Sequence, residues 1–339
     1  MAGVGAILMV STPARRSGPT PGLLWRRGGR YHARRDSAAR PSSPDRRAPR
    51  SGPAPPRVVT GAADGLVPGR VTTLAPGLRR IVAPNPGPLT GPGTNTYLFG
   101  SRRVAIVDPG PASAAHAATI LAAIGDAELV AIAVTHTHAD HSSGVAALAA
   151  MRPAPVLGRI PRHSAFHDPS FHATHLVEDG DVLDTDAGAV VAVTTPGHAS
   201  NHVCWHAPAQ RLLCTGDHIL GTTSPVILPP DGDMDEYLDA LARLRALPLD
   251  WLLPGHGPVL AAPVEVIDAL VRHRLEREAR VVAALARAPG SIPADLVPLA
   301  YPDVAPSLYP WARRTLEAHL IRLERAGDAR RDGERWSPA

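Results

Sequence analysis

Six consecutive residues, His136-Thr137-His138-Ala139-Asp140-His141, include four side chains of metal-binding type. Imidazole nitrogens and carboxylate oxygens are donors that suit zinc, a borderline-soft ion. In an extended segment alternate side chains share a face, so His136 and His138 can address one ion. Asp140 and His141 follow the turn and aim elsewhere, which suits a second ion close by. Three more donors recur downstream, His198, Asp217 and His256, each beside a glycine that lets backbone approach closely. A lone histidine at a strand end is usually a hydrogen-bonded polar group. Three donors of the right types, after a four-donor cluster, exceed that explanation and point to a metal site.

The elements that must position these residues read from apolar runs and turn residues. Leu129 to Val134 is short, apolar and rich in branched residues, a buried parallel strand ending where the donors begin. Donors then sit at the carboxyl edge of a sheet, where open α/β folds place their chemistry. Residues 70–74 and 78–82 read as strands joined by a Pro-Gly turn, and 94–99 with 103–107 as a second pair. Between the pairs, 85–93 is too rich in Gly and Pro for either regular element and forms a loop suited to shaping a pocket. Ser113 caps a helix running to about Ile124. Further on come a helix over 144–151 and strands over 155–157, 181–184 and 189–195. A hairpin pairs 203–206 with 211–214, and a strand covers 251–253. A helix over 235–247 carries Tyr237, Leu238, Leu241, Leu244 and Leu247 on one stripe. His198, Asp217 and His256 each lie just past a strand. Residues 160–175 hold His163, His167, His172 and His175 and read as a solvated lid or surface helix rather than a metal site. In the tail, Thr315 to Arg325 forms an amphipathic helix ended by Gly327, and 328–336 a hairpin around Asp332-Gly333. Arg322, Arg325, Arg330, Arg331 and Arg335 could meet phosphates there, or form a solvated face on a domain that walls the active site.

Composition bounds the rest. All 35 Lys+Arg residues are arginine, in a chain rich in Ala, Pro and Gly, a usage typical of GC-rich coding. Residues 1–57 hold 12 Arg against Asp36 and Asp45, so the basic balance comes from the front and the remainder is mildly acidic. That Arg/Pro-rich segment has no apolar periodicity and reads as a disordered extension. Only two cysteines occur, Cys204 and Cys214, flanking the turn at 207–210, where a disulfide is possible. No apolar stretch reaches membrane length, and the front fails as a secretory signal. A soluble cytoplasmic protein with no membrane partner is the simplest account.

The spacing His136-x-His138-x-Asp140-His141, then His198, Asp217 and His256, resembles the ligand set of the metallo-β-lactamase superfamily over about residues 65 to 270. Asn85-Pro-Gly-Pro, Gly93-Thr-Asn-Thr-Tyr-Leu98, Gly216-Asp-His-Ile-Leu-Gly221, Pro254-Gly-His-Gly-Pro258 and His273-Arg274-x-x-Arg277-Glu278 are similar to the lactamase-β-like protein 2 group. The resemblance implies an α/β fold, an αββα sandwich over 58–270, followed by a small winged-helix domain over 271–339. It implies two zinc ions, one held by His136, His138 and His198, the other by Asp140, His141 and His256, with Asp217 bridging. Asp108 would brace the histidine loop. His202 and His218 would support the ligands or serve a leaving group. Ions about 3.5–4 Å apart can share a water and lower its pKa, with Asp140 as the catalytic residue that orients it. Animal members of the group cleave single-stranded RNA and other relatives are polyketide thioesterases. The substrate is therefore a small acyl ester or thioester, or single-stranded RNA. A non-catalytic binding protein on the same fold would need lost ligands, and none is lost.

Overall fold

The computed structural model describes residues 65–339 and one short strand before them, β1 (Trp25–Arg26). The expectation of a disordered extension over 1–57 otherwise falls outside the described residues. Trp25 and Arg26 pair antiparallel with Leu183 and Val182.

Two seven-stranded sheets face each other. The first runs β2 (Val71–Ala75), β3 (Leu78–Val82), β4 (Asn95–Phe99), β5 (Arg103–Val107), β6 (Glu128–Ala133), β7 (Val156–Gly158), β8 (His175–Leu176), in that order. The second starts at β1 and continues through β9 (Val182–Thr185), β10 (Gly188–Thr194), β11 (Val203–Ala207), β12 (Leu212–Gly216), β13 (Trp251–Pro254) and β14 (Leu260–Ala261). β5 runs parallel to β6, and β12 parallel to β13. Their carboxyl ends therefore gather at one edge of the sandwich.

Alternation along the strands separates the layers. Val190, Ala192, Val203, Trp205, Leu212 and Cys214 face inward against Tyr97, Val107 and Leu157. Outward residues of the first sheet, Leu98, Ile106 and Ile132, pack under α1 (Ala114–Ile124) and α3 (Val145–Met151). A four-residue helical turn, α2 (Ala139–Ser142), lies between them in the chain. Outward residues of the second sheet, Val193, Cys204 and Leu213, pack under α4 (Met234–Arg245) and the start of α5 (Pro263–Arg287). This is the αββα arrangement. Cys204 and Cys214 fall on opposite faces of the second sheet, so no disulfide joins them and both thiols are free. Burial pushes the Cys204 thiol up to about 12.

The tail packs as a second unit. The far half of α5, α6 (Pro293–Ala300), α7 (Tyr309–Ala326) and the hairpin β15 (Ala329–Asp332) with β16 (Arg335–Pro338) enclose Leu285, Leu296, Leu316, Leu320, Leu323 and Trp336. Helices carrying a two-stranded hairpin form the winged helix. The expected boundary at 270/271 falls inside α5, which runs unbroken through both units. Among the described residues no helix is long and apolar enough to cross a membrane.

Trp336 is 3% exposed at the centre of the tail's apolar cluster. Trp336→Ala should cost about 3–5 kcal/mol of unfolding free energy in a denaturant titration. A loss below about 1 kcal/mol would show that the tail does not fold around this cluster.

Candidate metal centre

Asp108 follows β5 with φ 53, a left-handed backbone that aspartate tolerates better than most residues. Its carboxylate accepts the Thr135 backbone N–H at 2.7 Å, the Thr135 hydroxyl at 2.9 Å and His141 Nδ1 at 2.9 Å. A carboxylate only accepts, so the hydroxyl proton of Thr135 is committed to it. Thr135 Oγ1 must then accept from His136 Nδ1, 3.0 Å away. His198 Nδ1 donates to the Val226 carbonyl at 2.7 Å, and His256 Nδ1 faces the Gly93 carbonyl at 3.3 Å. Four rings thereby commit Nδ1 as a donor to a neighbouring oxygen and turn Nε2 toward the centre.

Those Nε2 atoms converge. His136 Nε2 lies 2.8 Å and His198 Nε2 3.1 Å from His138 Nδ1. His256 Nε2 lies 3.2 Å from Asp140 Oδ2, and His141 Nε2 3.6 Å from the same oxygen. Asp217 has Oδ1 at 3.3 Å from His141 Nε2 and 3.4 Å from His256 Nε2, with Oδ2 at 3.8 Å from His198 Nε2. Three donor groups result, each with its atoms within 4.8 Å of one another: His136, His138 and His198; His136, His141 and Asp217; Asp140, His141 and His256. His141 Nε2 and Asp217 Oδ1 are buried without a hydrogen-bond partner among the described residues. Donor atoms aimed at one another, with Nδ1 of four rings already committed elsewhere, suit a cation. The donor chemistry fits divalent metal.

Local backbone makes this approach possible. A Cβ on Gly255 would sit 2.6 Å from Asp217 Oδ1 and 2.7 Å from His141 Cε1. The two sheets are joined here: Val203 N–H donates to the Thr135 carbonyl at 2.7 Å, and Asn95 N–H to the Gly255 carbonyl at 2.7 Å. The Asn95 side chain bonds the Pro254 and Gly257 carbonyls, each at 2.9 Å, and Tyr97 Oη bonds Pro254 at 2.8 Å.

Burial, followed by the neighbouring ring of His141, holds His136 well below the ordinary histidine range. Burial also lowers His138, to about 3, and His198. Burial opposes charge on His141 and His256 too, but there carboxylates win. Asp217, Asp140 and Asp108 raise His141, and Asp217 with Asp140 raises His256 to about 9. Asp140 and Asp217 resist the upward push of burial because His141 and His256 face them; Asp140 is held at about 2 and Asp217 well below its usual range. Half of the cluster is thus neutral imidazole and half an acid–imidazole array, both suited to cation binding.

Around the donors, the structure departs from some expectations. His167 is not a solvated lid residue: Nδ1 meets Thr137 Oγ1 at 2.7 Å, Nε2 meets Asp231 Oδ2 at 2.9 Å, and the ring stacks on His138 with centroids 5.0 Å apart. The segment holding it has no helix. His202 packs against His136 with centroids 5.2 Å apart and bonds Thr195 Oγ1 at 2.8 Å. His218 is fully buried and lies 5.5 Å from His202, ring to ring. Neither is among the residues that line the pocket. Arg322 and Arg325 do not await phosphates; they pair with Glu278, Asp235 and Asp233. Beside the donors opens a cavity of about 560 Å³. Its walls come from Pro88 and Leu89, Phe166, Leu220 with Val226 and Leu228, the α5 residues His273, Arg274 and Arg277, and the tail residues Val304, Leu308 and Trp311.

The family model described as "Metallo-beta-lactamase superfamily" matches residues 89–256, and that described as "Beta-lactamase associated winged helix domain" matches 293–336. The chain is 30% identical to the "Beta-lactamase-like protein 2 homolog" of Drosophila melanogaster, across 77% of this chain and 92% of that one. It is also 30% identical to the "Atrochrysone carboxyl ACP thioesterase" of Aspergillus fumigatus, across 63% and 67%. A beta-lactamase domain protein from Burkholderia ambifaria superposes with a TM-score of 0.70 at 22% identity, across 83% and 97%, a likeness of fold.

Asp108→Asn keeps the shape but cannot accept from all three donors. It should weaken zinc affinity by about 10–100-fold in a competitive chelator titration. Unchanged affinity would mean that the proton arrangement described above does not matter.

Proposed function

This chain belongs to the metallo-beta-lactamase superfamily, and from that premise we propose a dinuclear zinc hydrolase that acts on small acyl thioesters or esters. As a metal-dependent hydrolase it needs donors, an attacking water and a place for the acyl group. The observation that carries the reading is one carboxylate, Asp217, whose two oxygens face two separate donor groups at the mouth of an apolar pocket. His136, His138 and His198 would hold one zinc, Asp140, His141 and His256 the other, and Asp217 would bridge them. Bound zinc supplies Lewis acidity that lowers the pKa of water toward neutrality and draws charge from an acyl oxygen.

The remaining work falls to the chain itself. Asp140 lines the pocket, with its side chain 30% exposed. It can orient the attacking water and take up its proton. Asp108 and Thr135 hold His136 and His141 in the tautomer that presents Nε2. Leu89, Leu220, Leu228, Leu308 and Trp311 offer an apolar bed for an acyl chain and exclude water from it. A fungal relative is named as a thioesterase of an acyl carrier protein, which supports the same substrate class. Cleavage of single-stranded RNA is the weaker reading, since two of the five tail arginines are spent on internal acids. A cytoplasmic location belongs to the same proposal, supported by two unpaired buried thiols.

Purified protein should carry two zinc per chain by elemental analysis and hydrolyse a panel of acyl thioesters. Chelation should abolish turnover and added zinc restore it. Labelled single-stranded RNA should survive the same conditions. Asp140→Asn should lower kcat by roughly 10²–10⁴-fold. RNA cleavage without thioester turnover would reverse the choice of substrate.

A further inference from the structure

Arg274 is a feature of the pocket wall that an apolar substrate leaves unexplained. It lies on α5, is 3% exposed and lines the cavity. Its guanidinium stands over the Tyr237 ring, 5.1 Å from the centroid, and bonds the Tyr237 side chain and the Pro225 carbonyl. Its Nε is buried with no hydrogen-bond partner among the described residues. No carboxylate among those residues comes within ion-pair distance of it. Three other charges on the same helix have partners: Arg277 and Arg280 share Asp303, and Glu278 pairs with Arg322 and His319. A buried cation without a counter-charge is costly, and such charges persist when paired or when a ligand completes them. Arg274 is also close to the reactive end. Pro225, whose carbonyl it bonds, precedes Val226, whose carbonyl fixes His198.

We infer that Arg274 is a specificity-determining residue that binds an anionic oxygen group of the substrate, a carboxylate on the acyl part or a phosphate on the thiol part. This rests on the acyl-hydrolase reading above and narrows it from apolar acyl compounds to those carrying one negative charge away from the reacting carbonyl. A planar guanidinium at the wall of an apolar cavity, with one N–H given to Pro225 and its Nε–H unpartnered among the described residues, selects such a group by charge-assisted hydrogen bonds.

Three thioesters of one acyl chain length separate the possibilities: an N-acetylcysteamine thioester ending in a carboxylate, the same compound ending in a primary amide, and a phosphopantetheine thioester ending in the amide. One of the two anionic compounds should exceed the neutral one in kcat/KM by about tenfold or more, chiefly through KM. Whichever does so identifies the side that carries the charge. In Arg274→Gln this ratio should fall toward one, whereas Arg274→Lys should keep part of it. A loss of folding alone would lower all three rates and leave the ratio unmoved. Equal rates for all three in the wild-type protein would overturn the inference while leaving the hydrolase reading intact. If none is turned over, that reading fails, and calorimetry then decides the inference. The wild-type chain should bind the free dicarboxylate or phosphopantetheine more tightly than the Arg274→Gln chain does, and equal affinities would overturn it.

Discussion

Seven ionisable side chains are buried or half-buried at one seam, and the structure depends on keeping that seam shut. Four of them come from the first sheet's edge and three from the second's. Hydrophobic packing between the sheets is non-directional and sets their spacing only loosely. The directional bonds at this edge set it closely: Asn95 reaches across to Pro254 and Gly257, Tyr97 to Pro254, and Val203 to Thr135. Without them the two half-sets of donors could slide past each other, and a cation would meet only part of its ligands.

Proton placement is the second level of control. Asp108 sits one step behind the histidines and decides, through a single hydroxyl, which nitrogen of His136 is bare. Backbone carbonyls do the same for His198 and His256. Asp231 and His167 extend this outward, since the His167 ring is both hydrogen-bonded to Thr137 and stacked on His138. Orientation of the donors is thus distributed over both sheets and the loops that cover them.

Much of the site was legible in the chain because its donors follow short apolar strands and stand beside glycines, so local sequence carries both position and freedom of approach. The layering came only with the family resemblance, while apolar runs and the Tyr237–Leu247 stripe gave the separate strands and one helix face. What local sequence hides is pairing at a distance. His167 meets Asp231 across 64 positions, in a segment without periodicity, so its role reads as surface polarity in the sequence. Arg325 meets Asp233 across 92 positions, so a basic tail read in isolation overstates its free charge. Cys204 and Cys214 flank one turn, but the strand register puts them on opposite faces. Arg274 was visible as part of a motif, while the absence of its counter-charge is a property of the folded wall.

The long helix α5 begins against the second sheet and ends inside the winged helix. One rigid rod therefore roots both the reactive half of the molecule and the wall that receives the substrate. Divergence in the tail can reshape what is admitted while the ion-binding half stays untouched. Nor is the tail a free module, because the start of its first helix packs with α4 over the second sheet.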